Sequence, residues 1–179
     1  MKAQTILDFW FKELKPKDWF IKNLELDQLI KNRFYNIHQQ AKQGELWHWR
    51  TQADSSLAEI IILDQFSRNI YRNQTGAFSC DSLALALSQA ALEKGWHQKL
   101  SSVEKGFLYM PFMHSESALI HKEAMKLYSE PGLENNLDYE QRHKKIIDRF
   151  GRYPHRNEIL GRSSTPEEIL FLKEAGSSF

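Results

Sequence analysis

The stretch SSLAEIIILDQFSRNIYR, residues 55–72, is the most hydrophobic part of the chain and decides its fold class. Its centre, IIIL at 60–63, is a run that a buried β-strand also favours. The apolar pattern nevertheless continues through Phe66 and Ile70 to Tyr71 without a turn residue, which is longer than a typical strand. Length therefore favours a helix over a strand for this stretch.

Helical periodicity recurs on both sides of this stretch, and capping residues mark several helix ends. Ser101 and Glu104 have the spacing of a capping box, before a helix that Pro111 is expected to limit or kink. TPEE at 165–168 combines an N-cap threonine, a proline at the first helical position and an acidic partner. The predicted elements are a helix from near Thr5 to Pro16, one after Asp18 up to Gly44, a short helix or packed loop at Leu46–Trp49, Cys80–Lys94 closed by Gly95, a helix after Ser101, Ser115–Tyr128, Asp138–Phe150 closed by Gly151, and a helix from Thr165 that ends before Gly176.

These elements predict an all-α fold of about eight to nine helices joined by short links, stacked as antiparallel hairpins. Glycine is sparse and no linker stands out, so residues 1–179 are expected to form one domain.

Composition excludes several classes of protein. The chain has 179 residues, of which 41% are hydrophobic and 12% aromatic, which suits a packed globule. Its net charge of +1 argues against binding to nucleic acid or to an anionic membrane. The single cysteine, Cys80, fits a reducing compartment, and Met1–Asp8 lacks the features of a secretory signal. No apolar run approaches the length of a membrane span. We therefore expect a cytoplasmic protein.

The first charged segment lies on this most hydrophobic helix. Asp64, Arg68 and Arg72 follow at intervals of four residues and would share one helix face. One interpretation is a surface ladder in which Asp64 pairs with Arg68 and adds little stability. The other is that Arg68 and Arg72 point into a cleft and hold an anion or a carboxylate.

The second segment is MPFMHSE at 110–116. His114 and Glu116 are candidates for a base and an acid, while Ser115 is at least as well explained as a helix cap. Backbone N–H groups at a helix start here would also favour an anion. His121 lies two helical turns beyond His114, but no HxxxH or HExxH pattern is present, so no metal site is predicted.

The third segment, residues 141–162, concentrates positive charge. It has seven Lys/Arg against Asp148 and Glu158, and its glycine, proline and aromatic residues indicate a shaped turn at 151–154. Guanidinium groups on such a turn suit bidentate binding of carboxylate or phosphate. A scaffold role is equally open, because arginines can satisfy the carbonyl groups of a loop or pair with Asp64 or Glu116.

Four stretches together resemble a known bacterial family. They are ILDFWF at 6–11, LDQFSRNIYR at 63–72, FLYMPFMHSE at 107–116, and DRFGRYPHRNEILGR at 148–162 followed by STPEE. This combination is similar to the bacterial proteins catalogued as domain of unknown function 924, over nearly the whole chain. The resemblance implies an all-helical, tetratricopeptide-like fold, although no 34-residue repeat is detectable. It implies no activity, because fold alone does not carry function.

Our leading hypothesis is a pocket that binds a small anionic molecule or a peptide carboxylate. His114 or His155 would carry a proton if chemistry occurs, with Glu116 or Asp64 orienting the histidine. Whether the protein is an enzyme stays open, and no cofactor is predicted. Tyr71 and Tyr153 would form an aromatic wall. The predicted ligand-binding residues are Asp64, Arg68, Arg72, Arg152, Arg156, Asn157 and Arg162.

The competing hypothesis is a helical interaction module without catalysis, in which the same charges only staple the C-terminal loop. A partner protein would then bind an exposed aromatic groove. A metal-dependent hydrolase is a third and weaker possibility, and Cys80 is expected to be a small buried residue rather than a catalytic thiol. The aromatic residues considered for the groove are Trp10, Trp19, Trp47 and Trp49.

Overall fold

The computed structural model describes residues 1–178, and all regular secondary structure in that range is helical. The prediction of an all-α fold is therefore confirmed. Consecutive helices pack on one another, α5 on α6, α6 on α7 and α7 on α8, which is compatible with stacked hairpins. The α-helices of the described chain are α1 Ala3–Asp8, α2 Leu24–Lys42, α3 Ala53–Ile61, α4 Ser67–Ile70, α5 Asp81–Glu93, α6 Ser102–Met113, α7 Ala118–Tyr128, α8 Glu134–Phe150 and α9 Pro166–Phe171.

The central stretch is helical, as its length indicated. α3 continues through a π-helical turn, Ile62–Phe66, directly into α4, so that one continuous helical rod runs through the core. The rod packs against α1, α2, α5 and α6. Its buried Glu59 accepts two hydrogen bonds from Arg50, at 2.7 and 2.8 Å, which compensates for burial of the carboxylate.

The capping predictions are confirmed for the starts of α6 and α9 and for the end of α8. Ser101 with Glu104 and Thr165 with Glu168 form reciprocal capping boxes. Gly151 ends α8 with φ of 69°, a left-handed conformation that L side chains rarely adopt. Pro111 lies inside α6, two residues before its end.

The expected helix start at Ser115 is wrong, because α7 begins at Ala118 after an N-cap at Ser117. The backbone N–H groups of His114 and Ser115 donate to Met110 and Phe112 at the end of α6. These two groups are therefore not available to an anion.

Two of the four tryptophans considered for the aromatic groove, Trp10 and Trp49, belong to the core, so the prediction is wrong for these two. Trp10 is 1% exposed and packs edge-on against Phe107, and Trp49 is 6% exposed. Trp19 is partly buried and donates its indole N–H to the carbonyl of Trp10. Trp47 alone of the four is largely exposed, at 69%. Burial of an aromatic ring removes a large apolar area from water, which stabilises the core positions of these rings.

A second, smaller apolar cluster holds the C-terminal part of the chain. Ile146 and Ile147 of α8 pack with Tyr153 and with Phe171 of α9. The segment between α8 and α9 is thereby fixed against the helical body. Among residues 1–178, no helix has the length and apolar character needed to cross a membrane.

Candidate functional site

A cavity of about 310 Å³ opens where three segments of the chain meet. These are the turn into α5, the link from α6 to α7, and the segment between α8 and α9. The second and third charged segments of the sequence therefore meet at the cavity. The first segment, with Asp64 and Arg68, lies behind the cavity wall. Its lining residues are Thr75, Phe78, Ser79, Asp81, Ser82, Leu85, Pro111, His114, Ser115, Glu116, Arg156 and Leu160.

Arg68 and Asp81 form the centre of the charged network behind the cavity. The Arg68 guanidinium donates to both carboxylate oxygens of Asp81, at 3.0 and 3.1 Å. The same side chain lies 3.1 Å from the carboxylate of Asp64, which is one helical turn earlier and 1% exposed. The predicted pairing of Asp64 with Arg68 is confirmed, but as a buried contact rather than a surface ladder.

Asp64 also binds His114. The Nδ1 atom of His114 lies 2.7 Å from Asp64 Oδ1, and Gln65 donates its amide N–H to the other carboxylate oxygen. Burial raises the pKa of Asp64, but Arg68 and His114 outweigh that effect and hold it well below its usual range. Burial, followed by the positive charge of Arg68, lowers the pKa of His114 although Asp64 opposes this. Asp64 thus orients a neutral His114 at the cavity wall, one of the two pairings that the sequence left open.

Among the arginines of this network, Arg156 has the fewest hydrogen-bond partners for its guanidinium group. Arg156 is 6% exposed, with its guanidinium carbon 4.6 Å from the ring centres of Phe78 and Tyr153. Its ion pair is with Asp81, at 3.3 Å, on an oxygen already bound by Arg68. Within the described part of the chain, its buried Nε has no hydrogen-bond partner. Burial, and then repulsion by Arg68, lowers the pKa of Arg156.

The other C-terminal arginines are firmly paired, and we call their ion pairs the clamp. Arg162 donates to both oxygens of Glu116, at 2.6 and 2.9 Å. Arg152 donates to both oxygens of Glu168, at 2.6 and 2.8 Å. Asn157 joins the two pairs, since its amide oxygen accepts from Arg162 and its amide nitrogen donates to Glu168.

Tyr153 connects the clamp to the helical body. Its backbone N–H donates to Glu116, its carbonyl accepts from Arg162, and its hydroxyl donates to the carbonyl of Met113. Glu116 is therefore committed to the clamp, and the arginine hydrogen bonds lower its pKa against the opposing effect of burial. A role for Glu116 as an acid is not supported by this arrangement.

Arg72 lies elsewhere. α4 ends at Ile70, so Arg72 leaves the stripe that it was expected to share with Asp64 and Arg68. It forms a two-bond ion pair with Asp27 of α2 and does not line the cavity. Tyr71 likewise accepts a hydrogen bond from Gln39 and is not a cavity wall.

The two other histidines considered in the sequence, His121 and His155, lie at separate positions. His155 is not among the cavity-lining side chains, and burial lowers its pKa to about 4, so it stays neutral near pH 7. His121 is fully buried, with its two ring nitrogens 2.6 Å from Glu140 and 2.8 Å from the carbonyl of Ser115. His114 and His121 thus contact different carboxylates. Over residues 1–178, no group of three or more potential ligands is arranged to hold a metal ion.

Sequence reasoning missed Asp81 and Phe78, which complete the site. Asp81 is the first residue of α5, where an acidic side chain is ordinarily explained by the helix dipole. Phe78 ends the short 3-10 helix Thr75–Phe78, which contains no charged residue. The one available signal was a shortage of acidic partners for the arginines of the third segment.

Fold and cavity together define an all-helical protein with an inward-facing Arg/His/Asp cluster. The chain belongs to a family of bacterial proteins of unknown function, DUF924, whose model matches residues 6–176. It is also similar to a solved protein of unknown function from Agrobacterium tumefaciens, at 38% identity over 97% of both chains and a TM-score of 0.92. No match was found among curated proteins.

Proposed function

We propose that the protein binds a small anionic ligand, a carboxylate or a phosphate, in the cavity lined by Arg156 and His114. The observation that carries the proposal is the incomplete pairing of Arg156. A guanidinium has five N–H donors, and a buried donor without a partner costs about 1–3 kcal/mol. An anion in the cavity would supply the missing acceptors. Because a single cysteine is typical of a reducing compartment, we place this binding in the cytoplasm.

Arg156 stands out by its hydrogen bonding and not by an excess of positive charge around the cavity. Arg68, Arg156 and Arg162 are matched in number by Asp64, Asp81 and Glu116. Arg156 nevertheless shares Asp81 with Arg68, and its buried Nε has no partner among the described residues, so it is the cavity-lining cation with donors to spare. Charge-assisted hydrogen bonds to a bound carboxylate or phosphate would be stronger than those between neutral groups.

The alternative, in which the Arg/His cluster only staples the C-terminal loop, is supported for the clamp. Arg152 and Arg162 each make two hydrogen bonds to a carboxylate and one to a backbone carbonyl. Arg156 makes no comparable set. The two roles are therefore divided between neighbouring arginines, and the ligand role falls to Arg156.

The test is calorimetric titration of the purified protein with inorganic phosphate and with a panel of small carboxylates. We expect saturable binding of at least one carboxylate or phosphate, weakened tenfold or more by Arg156→Met, which keeps the bulk between the two rings. Arg142→Met is the matched control, since Arg142 is an exposed arginine of α8 that pairs with Asp138 and does not line the cavity. Absence of saturable binding by every anion in wild-type protein would refute the proposal.

A further inference from the structure

The unused nitrogen of His114 adds a second requirement to any ligand of the cavity. Nδ1 is occupied by Asp64, whereas no described residue forms a hydrogen bond with Nε2. The ring lines the cavity, so Nε2 is the atom that a ligand can reach.

The chemical state of Nε2 follows from Asp64. An ionised carboxylate only accepts hydrogen bonds, so the Nδ1 atom that faces Asp64 must carry the proton. Because the ring is neutral, Nε2 keeps its lone pair and is an acceptor. The cavity therefore offers a donor group at Arg156 and an acceptor at His114.

The other walls indicate what the rest of the ligand is like. Phe78, Leu85, Pro111 and Leu160 are apolar and line the same cavity. Sites of this kind bind an apolar body and orient it by a few polar contacts. The available volume of about 310 Å³ suits a small molecule rather than a polymer.

Arg68 links the two polar groups through a chain of contacts, and both groups line the same cavity. It contacts Asp64, which holds His114, and Asp81, which contacts Arg156. The smallest ligand that meets both groups carries its anionic group and its hydrogen-bond donor on adjacent carbons.

We infer that the ligand is a small carboxylate with a hydrogen-bond donor on the adjacent carbon and an apolar side chain, that is, a 2-hydroxy acid or a 2-amino acid. This inference rests on the proposed function, since it uses Arg156 as the carboxylate site. The hydroxyl or ammonium group donates to Nε2 of His114, and the side chain packs against Phe78 and Leu160.

The experiment compares three acids of the same carbon skeleton: 2-hydroxy-4-methylpentanoate, leucine and 4-methylpentanoate. We expect the hydroxy acid, the amino acid or both to bind at least about tenfold more tightly than the acid without a donor, because that acid leaves the acceptor of His114 unpaired. The arm that binds more tightly identifies which of the two classes the cavity accepts.

The matched variant is His114→Asn. Its amide N–H can still donate to Asp64, so the buried carboxylate keeps a partner, but the acceptor at the position of Nε2 is lost. We expect the preference for a donor group to disappear in this variant while 4-methylpentanoate binds as before. If the variant does not fold, the comparison of the three acids on wild-type protein decides alone.

The outcomes separate the two proposals. Equal binding of all three acids, or a preference that survives His114→Asn, would overturn the inference and leave Arg156 as the anion site. Failure of all three acids and of every other anion would overturn the proposed function itself.

Discussion

The clamp and the cavity wall use the same residue type within one short segment, yet their arginines differ in how they are paired. Arg152 and Arg162 each hold a carboxylate of their own through two short hydrogen bonds. Arg156, four residues after the first and six before the second, shares Asp81 with Arg68 at a longer distance. The same segment therefore contains the ion pairs of the clamp and the arginine that we propose to bind the ligand.

The difference shows that the number of arginines in a segment says little about their role. A buried charge whose partner belongs to it alone contributes to folding, because removing it strands the partner. A buried charge with a shared partner contributes less, and its retention points to a use other than stability. The following predictions test this contrast.

The largest effect is expected for Arg68→Met. This change leaves the carboxylates of Asp64 and Asp81 buried without their main cation. Breaking a buried ion pair typically costs about 3–5 kcal/mol. Urea unfolding of the variant beside wild type measures the loss, and a loss below about 1 kcal/mol would contradict the central place given to Arg68.

The next effect is expected for Arg162→Met in the clamp. Glu116 would lose two hydrogen bonds and Tyr153 the donor to its carbonyl, but both side chains of this pair are partly exposed. We expect a loss of about 2 kcal/mol in the free energy of unfolding, less than that of a fully buried pair. Arg142→Met, at an exposed position of α8, should change stability by less than about 0.5 kcal/mol.

The acid sensitivity of the clamp gives a third prediction. Hydrogen bonds from Arg152 lower the pKa of Glu168 to about 2 against its ordinary 4.5. Because the folded-state pKa is lowered, the stabilisation is complete above the unfolded value and is lost as pH falls from about 4.5 towards 2. The urea midpoint of Glu168→Gln should lie below that of wild type at pH 7, and the two midpoints should converge on acidification. Parallel midpoints across this window would show that the pair carries no such linkage.

The smallest effect is expected for Arg156→Met. The change removes repulsion with Arg68 and an unpartnered Nε, and it keeps an apolar side chain between Phe78 and Tyr153. We expect the free energy of unfolding to change by less than about 1 kcal/mol, in either direction. A loss of 3 kcal/mol or more, by the scale of a broken buried pair, would make Arg156 part of the scaffold and erase the contrast with the clamp.

The helices could be predicted from the sequence because their signals are local. The length of the apolar run at 55–72, the capping boxes at Ser101 and Thr165 and the glycine after α8 are all read within a few residues. The start of α7 was misplaced because Ser115 and Ser117 are both plausible caps, and only the hydrogen bonds at the end of α6 distinguish them.

The site could be predicted in part. The sequence indicated the segments of His114 and Arg156, but partners distant in the chain decide what each charge does. Asp81 lies 75 residues from Arg156, and nothing near it in the sequence marks it as the residue that two arginines share. Asp27 is likewise distant in the sequence from Arg72, so the sequence does not reveal that Arg72 pairs with it and does not line the cavity.

Tyr153 has a kinetic consequence for the cavity. Its backbone N–H, carbonyl and hydroxyl are each engaged by a different group of the protein. The segment that carries Arg156 is therefore tethered three residues before that side chain. A ligand would enter without waiting for a loop to open, so association should follow simple bimolecular kinetics, and the residence time should depend on the contacts made inside.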